Sequence, residues 1–241
     1  MNIVVISLER STDRRSHMTA MLQGSGLEFS FARAIDAEAG EHLCFEQYDA
    51  GAARRAHGEE LTPGEVACFA SHYLLWRRSA ETNRPLLVME DDVALGPSFG
   101  AALSLTDRLI ERYGLIRLHG GWIPAHDHLE TAEGFSLVRM RKSPYGTVAY
   151  ALSPQAALAL LEHSCVWRFP VDLHLSRFWE YRIPVIALLP YPVQHIDDQP
   201  RFPSTLGPDR TAKAPRSTWQ GLPLKVTDEL RRRVFLLTLR W

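Results

Sequence analysis

The chain of 241 residues has the composition of an ordinary globular protein, with 46% hydrophobic residues, 23% charged residues and a formal net charge of -1. This balance excludes a chain that is disordered throughout, and no stretch approaches the roughly 18 apolar residues of a membrane-spanning helix. The three cysteines, Cys44, Cys68 and Cys165, are too few and too scattered for a disulfide framework or a zinc knuckle. Charged residues follow the apolar residues 1–8 at once, so we expect no signal peptide and a cytoplasmic protein.

The first elements alternate between strand and helix. Residues 3–6 form an apolar, β-branched run that is typical of a buried strand. A helix is expected next, with Ser11 as its cap, and Gly24 and Gly26 end it. Residues 28–32 are predicted to form a second short strand.

The clearest helix start in the sequence lies at Thr62. Pro63 suits the first helical position, and Glu65 completes a capping box with Thr62. The helix is predicted to break before Pro85, and residues 86–89 are typical of a central buried strand.

The later elements continue the alternation. They are a helix over 98–113, strands over 115–118, 135–141 and 147–152, a helix over 154–163, a strand over 184–189 and a loop beyond Pro190. The segment His126-Asp127-His128 is also predicted to lie in a loop, because no further ligand residue lies at a metal-binding spacing from it. The order indicates an α/β fold with a mostly parallel central sheet flanked by helices. Ligands of such sheets bind at the carboxyl ends of the strands.

Three adjacent carboxylates, Glu90, Asp91 and Asp92, end the predicted central strand. Residues i and i+2 of a strand share a face, so Glu90 and Asp92 are expected on one face and Asp91 on the other. A cation or a hydrogen-bonding ligand would relieve their mutual repulsion. Hard oxygen ligands favour Mg²⁺ or Mn²⁺, usually shared with a substrate phosphate. An exposed acidic turn that binds nothing is the alternative.

A set of sequence blocks occurs in a specific order: NIVVISLER followed by DRR, then LTPGEVACFASH, LVMEDDV, YGTVAY, FPVD, and PVQH followed by Ser204. Together they resemble glycosyltransferase family 25, which comprises bacterial lipopolysaccharide and lipooligosaccharide sugar transferases and is similar to the collagen galactosyltransferases. The resemblance runs from Met1 to about Ser204. It implies a GT-A fold, a nucleotide-sugar donor (commonly UDP-galactose) and transfer with inversion of the anomeric centre.

The resemblance also assigns roles to the acidic residues, which take the place of the family's DXD motif. Asp92 would hold a divalent metal, Mn²⁺ or Mg²⁺, that bridges the donor diphosphate and acts as a Lewis acid for the UDP leaving group. Glu90 would contact the ribose or the metal shell, and Asp91 is expected in the donor site. His195 would complete the metal shell, with a hydrogen-bonded surface histidine that holds no metal as the alternative.

Further donor contacts are expected from two other blocks. Arg10 and Arg14 follow the first strand, and a guanidinium binds phosphate bidentately, so both are predicted to contact the diphosphate or the uracil. The alternative is a solvated charge run. Ser71 and His72 form part of the family motif and are predicted to contact the donor or to brace the acidic loop. A structural hydrogen-bonding histidine is the alternative for His72.

An inverting transferase needs a base that deprotonates the acceptor hydroxyl. Asp172 is the candidate by its position in the family motif, and an N-cap of a helix over 173–179 is the alternative. Trp122, Tyr145 and Trp179 are candidates for stacking on an acceptor sugar, with core packing as the alternative for each.

Residues 206–241 form a basic tail with a net charge of +5, whereas residues 1–205 carry -6 and are expected to form one domain. Leu230, Val234, Leu237 and Trp241 share one face of a predicted tail helix, and Phe235, Leu236 and Leu239 lie off it. Such a basic amphipathic segment binds an anionic membrane surface. Docking on the domain itself is the competing interpretation.

The sequence therefore favours a metal-dependent inverting glycosyltransferase that moves a sugar, first of all galactose, from a UDP-sugar to an oligosaccharide or lipid-linked glycan. We expect peripheral attachment to the inner face of the cytoplasmic membrane and no nucleic-acid partner. Two alternatives use the same residues: a metal-dependent phosphohydrolase, and a non-catalytic nucleotide-sugar-binding protein of the same fold.

Overall fold

The alternating pattern folds into one large sheet covered by helices on both faces, in a computed structural model that describes residues 1–196 and 222–239. The strands of these ranges are β1 (Asn2–Ser7), β2 (Phe29–Arg33), β3 (Leu86–Glu90), β4 (Val93–Leu95), β5 (Leu115–Arg117), β6 (His126–Ala132), β7 (Phe135–Met140), β8 (Ala149–Leu152), β9 (Ile186–Leu189) and β10 (Val193–His195). The helices are α1 (Thr12–Gly24), α2 (Ala50–His57), α3 (Pro63–Thr82), α4 (Phe99–Tyr113), α5 (Pro154–Glu162), α6 (Val171–Ser176), α7 (Phe178–Tyr181) and α8 (Leu222–Thr238).

The main sheet has the strand order β2-β1-β3-β8-β5-β9-β7-β6. The pairings β1–β2, β1–β3 and β5–β9 are parallel, as the predicted alternation requires. The other pairings are antiparallel, because β8 lies between β3 and β5 in the opposite direction and because β6 and β7 form a hairpin beside β9. The α/β class is confirmed, and the central sheet is mixed.

The sheet is buried on both faces, and its central strands β1, β3 and β8 are mostly apolar. Val4 and Ile6 of β1 pack on the face that α3 and α5 cover, whereas Ile3 and Val5 pack on the face of α1 and α4. Alternating side chains of one strand thus feed two separate hydrophobic clusters. This arrangement leaves the carboxyl ends of β1 and β3 as a rigid edge on which a site can be built.

The helix starts show where local signals succeed and where one fails. The capping box of α3 is confirmed: the Thr62 hydroxyl accepts from the Glu65 amide at 3.2 Å, and Glu65 accepts from the Thr62 amide at 2.9 Å. The expected side-chain cap at Ser11 is wrong, since Ser11 occupies the N-cap position of α1 without such a hydrogen bond. Its ψ of 57° departs from the extended backbone that directs a capping hydroxyl toward the first turn.

Two segments predicted as loops contain strands. His126–Ala132 forms β6, which lies at the edge of the sheet and therefore carries mostly polar, partly exposed side chains. Such a strand lacks the apolar periodicity by which strands are predicted from sequence. Val193–His195 forms β10 beyond Pro190 and pairs antiparallel with β4, a strand that no pattern in the sequence announces. The helix α2 has no counterpart among the predicted elements, although the Asp49 carboxylate accepts from the Ala52 amide as its N-cap.

The helix predicted over residues 173–179 is two short helices. Arg177 separates α6 from α7, and Asp172 lies inside the first turn of α6, where Pro170 is the N-cap residue. The N-cap interpretation of Asp172 is therefore wrong. Its Oδ1 accepts a hydrogen bond from the adjacent Leu173 amide at 2.8 Å.

The last described helix, α8, docks on the domain. Phe235 is buried and its ring lies 5.8 Å from that of Phe178. Nη1 and Nη2 of Arg177 both donate to Asp228, Nη2 at 2.6 Å, and Arg232 donates to the Arg141 carbonyl at 2.8 Å.

Three expectations fall outside the described residues: the Ser204 that ends the resemblance, the loop beyond residue 196 and the place of Trp241 on the tail helix. Within residues 1–196 and 222–239, no helix has the length and hydrophobicity needed to cross a bilayer.

Candidate active site

A cavity of about 620 Å³ opens at the carboxyl ends of β1 and β3. It is lined by all the residues that are predicted to bind the donor, to hold the metal or to act as the base: Arg10, Arg14, Ser71, His72, Glu90, Asp91, Asp92, Asp172 and His195. They come from five separate segments of the chain, which the sheet brings to one edge. Convergence at this edge is what a parallel β1–β3 pair predicts for a ligand site.

Asp91 is bound within the protein rather than directed at the open cavity. Its Oδ2 accepts from the Ser7 hydroxyl at 2.6 Å, and its Oδ1 accepts from Nη1 of Arg14 at 2.8 Å. Burial raises the pKa of the Asp91 carboxyl, and the bonds from Ser7 and Arg14 only partly oppose that rise. Arg14 is itself buried, and its two acidic neighbours outweigh the desolvation that would lower its pKa.

Asp92 lies beside a histidine because two short strands pair. The register of β10 against β4 places His195 opposite Val93, and the Ile196 amide donates to the Asp92 carbonyl at 2.8 Å. The His195 Nε2 consequently lies 3.5 Å from Oδ2 of Asp92, an oxygen that also accepts from Arg14 at 3.1 Å. Burial opposes ionisation of Asp92, but His195 and Arg14 together hold its pKa below the ordinary value.

Glu90 faces a different set of partners from Asp92. It accepts from the Thr147 hydroxyl, and its Oε1 lies 3.6 Å from Nε2 of His72. The expected pairing of Glu90 and Asp92 on one face is wrong, because β3 ends at Glu90 and the backbone bends before Asp92. The three carboxylates nevertheless line the same cavity.

The donor set can be tested against a divalent metal. In the two described ranges, no three His, Cys, Asp or Glu side chains are arranged to hold a metal ion. However, Oδ1 of Asp92 is buried and has no hydrogen-bond partner among residues 1–196 and 222–239, and His195 lies beside the same carboxylate. Mg²⁺ and its relatives are commonly held by one or two carboxylates together with substrate phosphates. Asp92 and His195 fit a shared site of that kind.

Arg10 and Ser71 both contact the segment that follows β2. Arg10 donates to both carboxylate oxygens of Asp36 at 2.9 and 3.0 Å, and this bond raises the pKa of its guanidinium. The Ser71 hydroxyl donates to the Ala67 carbonyl at 2.8 Å and accepts from the Ile35 amide at 2.9 Å. Ser71 therefore braces this segment against α3 at the wall of the cavity.

Several cavity residues were not found from the sequence. His119 lines the cavity, and its Nδ1 donates to the Val193 carbonyl at 3.1 Å, while burial lowers the pKa of its imidazole. Ser7 and Thr147 matter because they bind Asp91 and Glu90 respectively. These roles arise from contacts between distant segments, so no local signal could have found them.

The predicted aromatic residues divide between cavity and core. Tyr145 lines the cavity and is 56% exposed, and Trp122 is 45% exposed on the adjacent loop. Gly120 allows that loop to come close, since a Cβ there would lie 2.5 Å from the Tyr191 hydroxyl. Trp179 instead packs against the hydrophobic cluster beneath α3, so core packing holds for this residue.

Comparison with known proteins agrees with the resemblance. A family model described as glycosyltransferase family 25 (LPS biosynthesis protein) matches residues 1–175. A glycosyltransferase 25 family member of Drosophila pseudoobscura pseudoobscura is 32% identical over 171 residues, which cover 66% of this chain and 27% of that protein. The lacto-N-neotetraose biosynthesis glycosyltransferase LgtE of Neisseria meningitidis serogroup B is 29% identical over 171 residues, covering 67% and 60%.

A third relative bears on activity. The inactive glycosyltransferase 25 family member 3 of Homo sapiens is 33% identical over 187 residues, which cover 70% of this chain and 30% of that protein. In each of these three comparisons the chain spans less than two thirds of its relative's length.

Proposed function

Because the chain belongs to glycosyltransferase family 25, we propose that it is an inverting glycosyltransferase with a GT-A-type fold that takes its sugar from a UDP-sugar. Galactose is the first candidate sugar, and the acceptor is an oligosaccharide or lipid-linked glycan of lipopolysaccharide or lipooligosaccharide. The observation that carries the proposal is the single cavity in which Arg14, Asp92, Asp172 and His195 meet at the carboxyl ends of β1 and β3.

The cavity offers separate groups for the two halves of the reaction. Asp172 lies at the start of α6 on the cavity wall, where it accepts the proton of the acceptor hydroxyl. The acceptor oxygen then forms a bond to the anomeric carbon as the bond from that carbon to the UDP oxygen breaks, and the configuration inverts. Arg10 and Arg14 supply positive charge for the departing diphosphate.

The second requirement is neutralisation of that diphosphate. Asp92 and His195, with Glu90 nearby, would hold Mn²⁺ or Mg²⁺, and a bound divalent cation supplies Lewis-acid stabilisation of the leaving group. Asp92 suits this role because it keeps one buried carboxylate oxygen unpartnered among the described residues. Asp91 supports it indirectly by fixing Arg14 beside the same cavity.

The proposal is tested by UDP release across a panel of UDP-sugars, each with Mn²⁺ and with EDTA. We expect metal-dependent release from one sugar, which increases when the correct glycan acceptor is added. Release of phosphate or nucleotide that no acceptor stimulates would favour the phosphohydrolase. Binding of UDP-sugar without turnover would favour a binding protein.

The exposed face of the tail helix α8 concerns the location at which the protein would bind its glycan acceptor. One face of α8 docks on the domain, and the other face exposes Val226, Leu230, Val234 and Leu237, which are 64%, 63%, 53% and 83% exposed. Arg231 and Arg233 flank this exposed stripe. An apolar stripe with basic flanks matches an anionic membrane surface. We therefore include peripheral attachment to the inner face of the cytoplasmic membrane in the proposal.

A further inference from the structure

A chain of buried hydrogen bonds leads from the core to the cavity through three side chains. The indole Nε1 of Trp76 donates to the Tyr150 hydroxyl at 2.9 Å, and this hydroxyl lies 2.9 Å from Nδ1 of His72. Trp76 and Tyr150 are fully buried, and His72 is 1% exposed. The chain ends at Nε2 of His72, a buried atom without a hydrogen-bond partner among the described residues, in a side chain that lines the cavity.

The donors and acceptors of this chain fix the direction of each proton. An indole nitrogen can only donate, so the Tyr150 oxygen accepts from Trp76 and must send its own proton elsewhere. Within the described part of the chain, Nδ1 of His72 is the acceptor that lies within reach of that proton. A buried hydroxyl proton without an acceptor is costly. Nδ1 of His72 therefore accepts from Tyr150, and the imidazole carries its proton on Nε2.

We propose that Tyr150 and Trp76 are positioning residues that hold His72 in the Nε2–H tautomer, so that it offers a hydrogen-bond donor to an oxygen of the nucleotide-sugar. The identity of that ligand rests on the proposed function. Glu90 does not compete for the proton, because its Oε1 lies 3.6 Å away and accepts from Thr147.

The buried hydrogen bonds fix the orientation of the His72 imidazole. The α3 helix carries both Trp76 and His72, one turn apart, and Tyr150 on β8 fits between them. The rings of His72 and Trp76 cannot rotate without breaking a buried hydrogen bond to Tyr150. The Nε2–H group of His72 therefore keeps its direction before the ligand arrives. A donor that is already oriented needs no reorganisation when negative charge develops on a nearby oxygen.

The first test is the tautomer of His72 in the ligand-free full chain. Long-range proton–nitrogen NMR correlations of ¹⁵N-histidine-labelled protein report which ring nitrogen carries the proton, and His72→Gln identifies the signal. We expect the Nε2–H form in the natural sequence and a mixture of tautomers in Tyr150→Phe and Trp76→Phe. Tyr181→Phe is the matched control, since this tyrosine is also buried but its hydroxyl donates to the Leu175 carbonyl and takes no part in the hydrogen bonds that reach His72. An Nδ1–H form in the natural sequence would overturn the proposal without any variant having to fold.

The second test is the affinity for UDP with Mg²⁺, measured by calorimetry. Loss of one oriented hydrogen bond predicts that Tyr150→Phe weakens UDP binding about 3- to 10-fold, whereas Tyr181→Phe leaves it unchanged. Equal affinity in a folded Tyr150→Phe protein would show that the tautomer does not matter for the ligand and would overturn the proposal. Failure of the natural protein to bind UDP would contradict the proposed function, and the tautomer measurement would still decide whether Tyr150 and Trp76 position His72.

Discussion

At the scale of single residues, the acidic cluster shows how three neighbouring carboxylates come to differ. Asp91 is held by Ser7 and Arg14, so it organises the wall of the cavity. Asp92 keeps one oxygen unpartnered within the described residues and stays ionised beside His195 and Arg14. The difference between Asp91 and Asp92 therefore comes from their partners in distant segments rather than from their position in the triplet.

Asp172 provides a direct test of the base in the proposed reaction. Asp172→Asn removes the basic oxygen but keeps an acceptor for the Leu173 amide, which binds Oδ1 at 2.8 Å. We expect turnover with the acceptor to fall about 10²- to 10⁴-fold, with unchanged affinity for UDP. Steady-state kinetics and UDP titration check this, with thermal unfolding as the control for the fold. Undiminished turnover would remove Asp172 from the mechanism.

Gly120 tests the close packing at the mouth of the cavity. An added Cβ would lie 2.5 Å from the Tyr191 hydroxyl and 2.8 Å from Cγ of Pro144, so Gly120→Ala must push the loop or Tyr191 aside. Overpacking of this kind predicts a loss of about 1–3 kcal/mol in the free energy of unfolding. Gly121→Ala is the matched control, since its Cβ would meet nothing within 4 Å. Equal stability of the two variants in urea unfolding would refute the packing argument.

At the scale of elements, local signals gave the framework of the fold, and long-range pairing gave the site. The apolar run of β3 and the capping box of α3 are legible in the sequence because each depends on neighbouring residues. The pairing of β4 with β10 is not legible, because it joins two three-residue strands about 100 positions apart. His195 was predicted near the metal only through the family motif, and this pairing is what brings it to Asp92.

A buried histidine in α6 predicts how stability depends on pH. His174 packs between Phe69 and Trp76 and donates from Nε2 to the Ser164 hydroxyl at 3.1 Å. Burial lowers the pKa of His174 to about 4, from the ordinary value of 6.5 that holds in the unfolded chain. The unfolded state therefore binds a proton first as the pH falls. The part of the free energy of unfolding that depends on a neutral His174 is on the order of 3 kcal/mol. It is fully present above pH 6.5 and is lost progressively toward pH 4.

Urea unfolding of the natural protein and of His174→Gln across this pH range measures the contribution. Glutamine keeps a hydrogen-bond donor for Ser164 but does not titrate, so the variant should show a shallower fall in stability between pH 6.5 and 4. Parallel curves would mean that His174 does not carry the pH dependence.

At the scale of the whole molecule, the docking of α8 explains why the apolar residues of this helix do not all lie on one face. Phe235, Leu236 and Leu239, which lie off the predicted stripe, pack on the hydrophobic core. Leu230, Val234 and Leu237, which form the stripe, face outward. One helix thus carries two apolar faces, and docking on the domain does not exclude contact with a membrane.

The exposed stripe is tested with vesicles. Leu230→Glu combined with Val234→Glu replaces exposed side chains, so the fold should persist while binding to phosphatidylglycerol-containing vesicles falls about 10-fold or more. Leu43→Glu is the matched control, since Leu43 is 79% exposed elsewhere on the surface. Co-sedimentation of both proteins with anionic and with neutral vesicles measures the effect. Undiminished binding of the double variant would exclude this face as the membrane contact.

The proposed function depends above all on activation of a nucleotide-sugar at Asp92. The most direct measurement is UDP release with Mn²⁺ from the UDP-sugar that the natural protein prefers, in Asp92→Asn and in the control Asp13→Asn. Asp13 is an exposed carboxylate next to Arg14 that does not line the cavity. We predict that Asp92→Asn loses at least about 100-fold in rate while remaining folded, and that Asp13→Asn keeps the natural rate. Full metal-dependent release by a folded Asp92→Asn protein would exclude Asp92 as the residue that activates the donor.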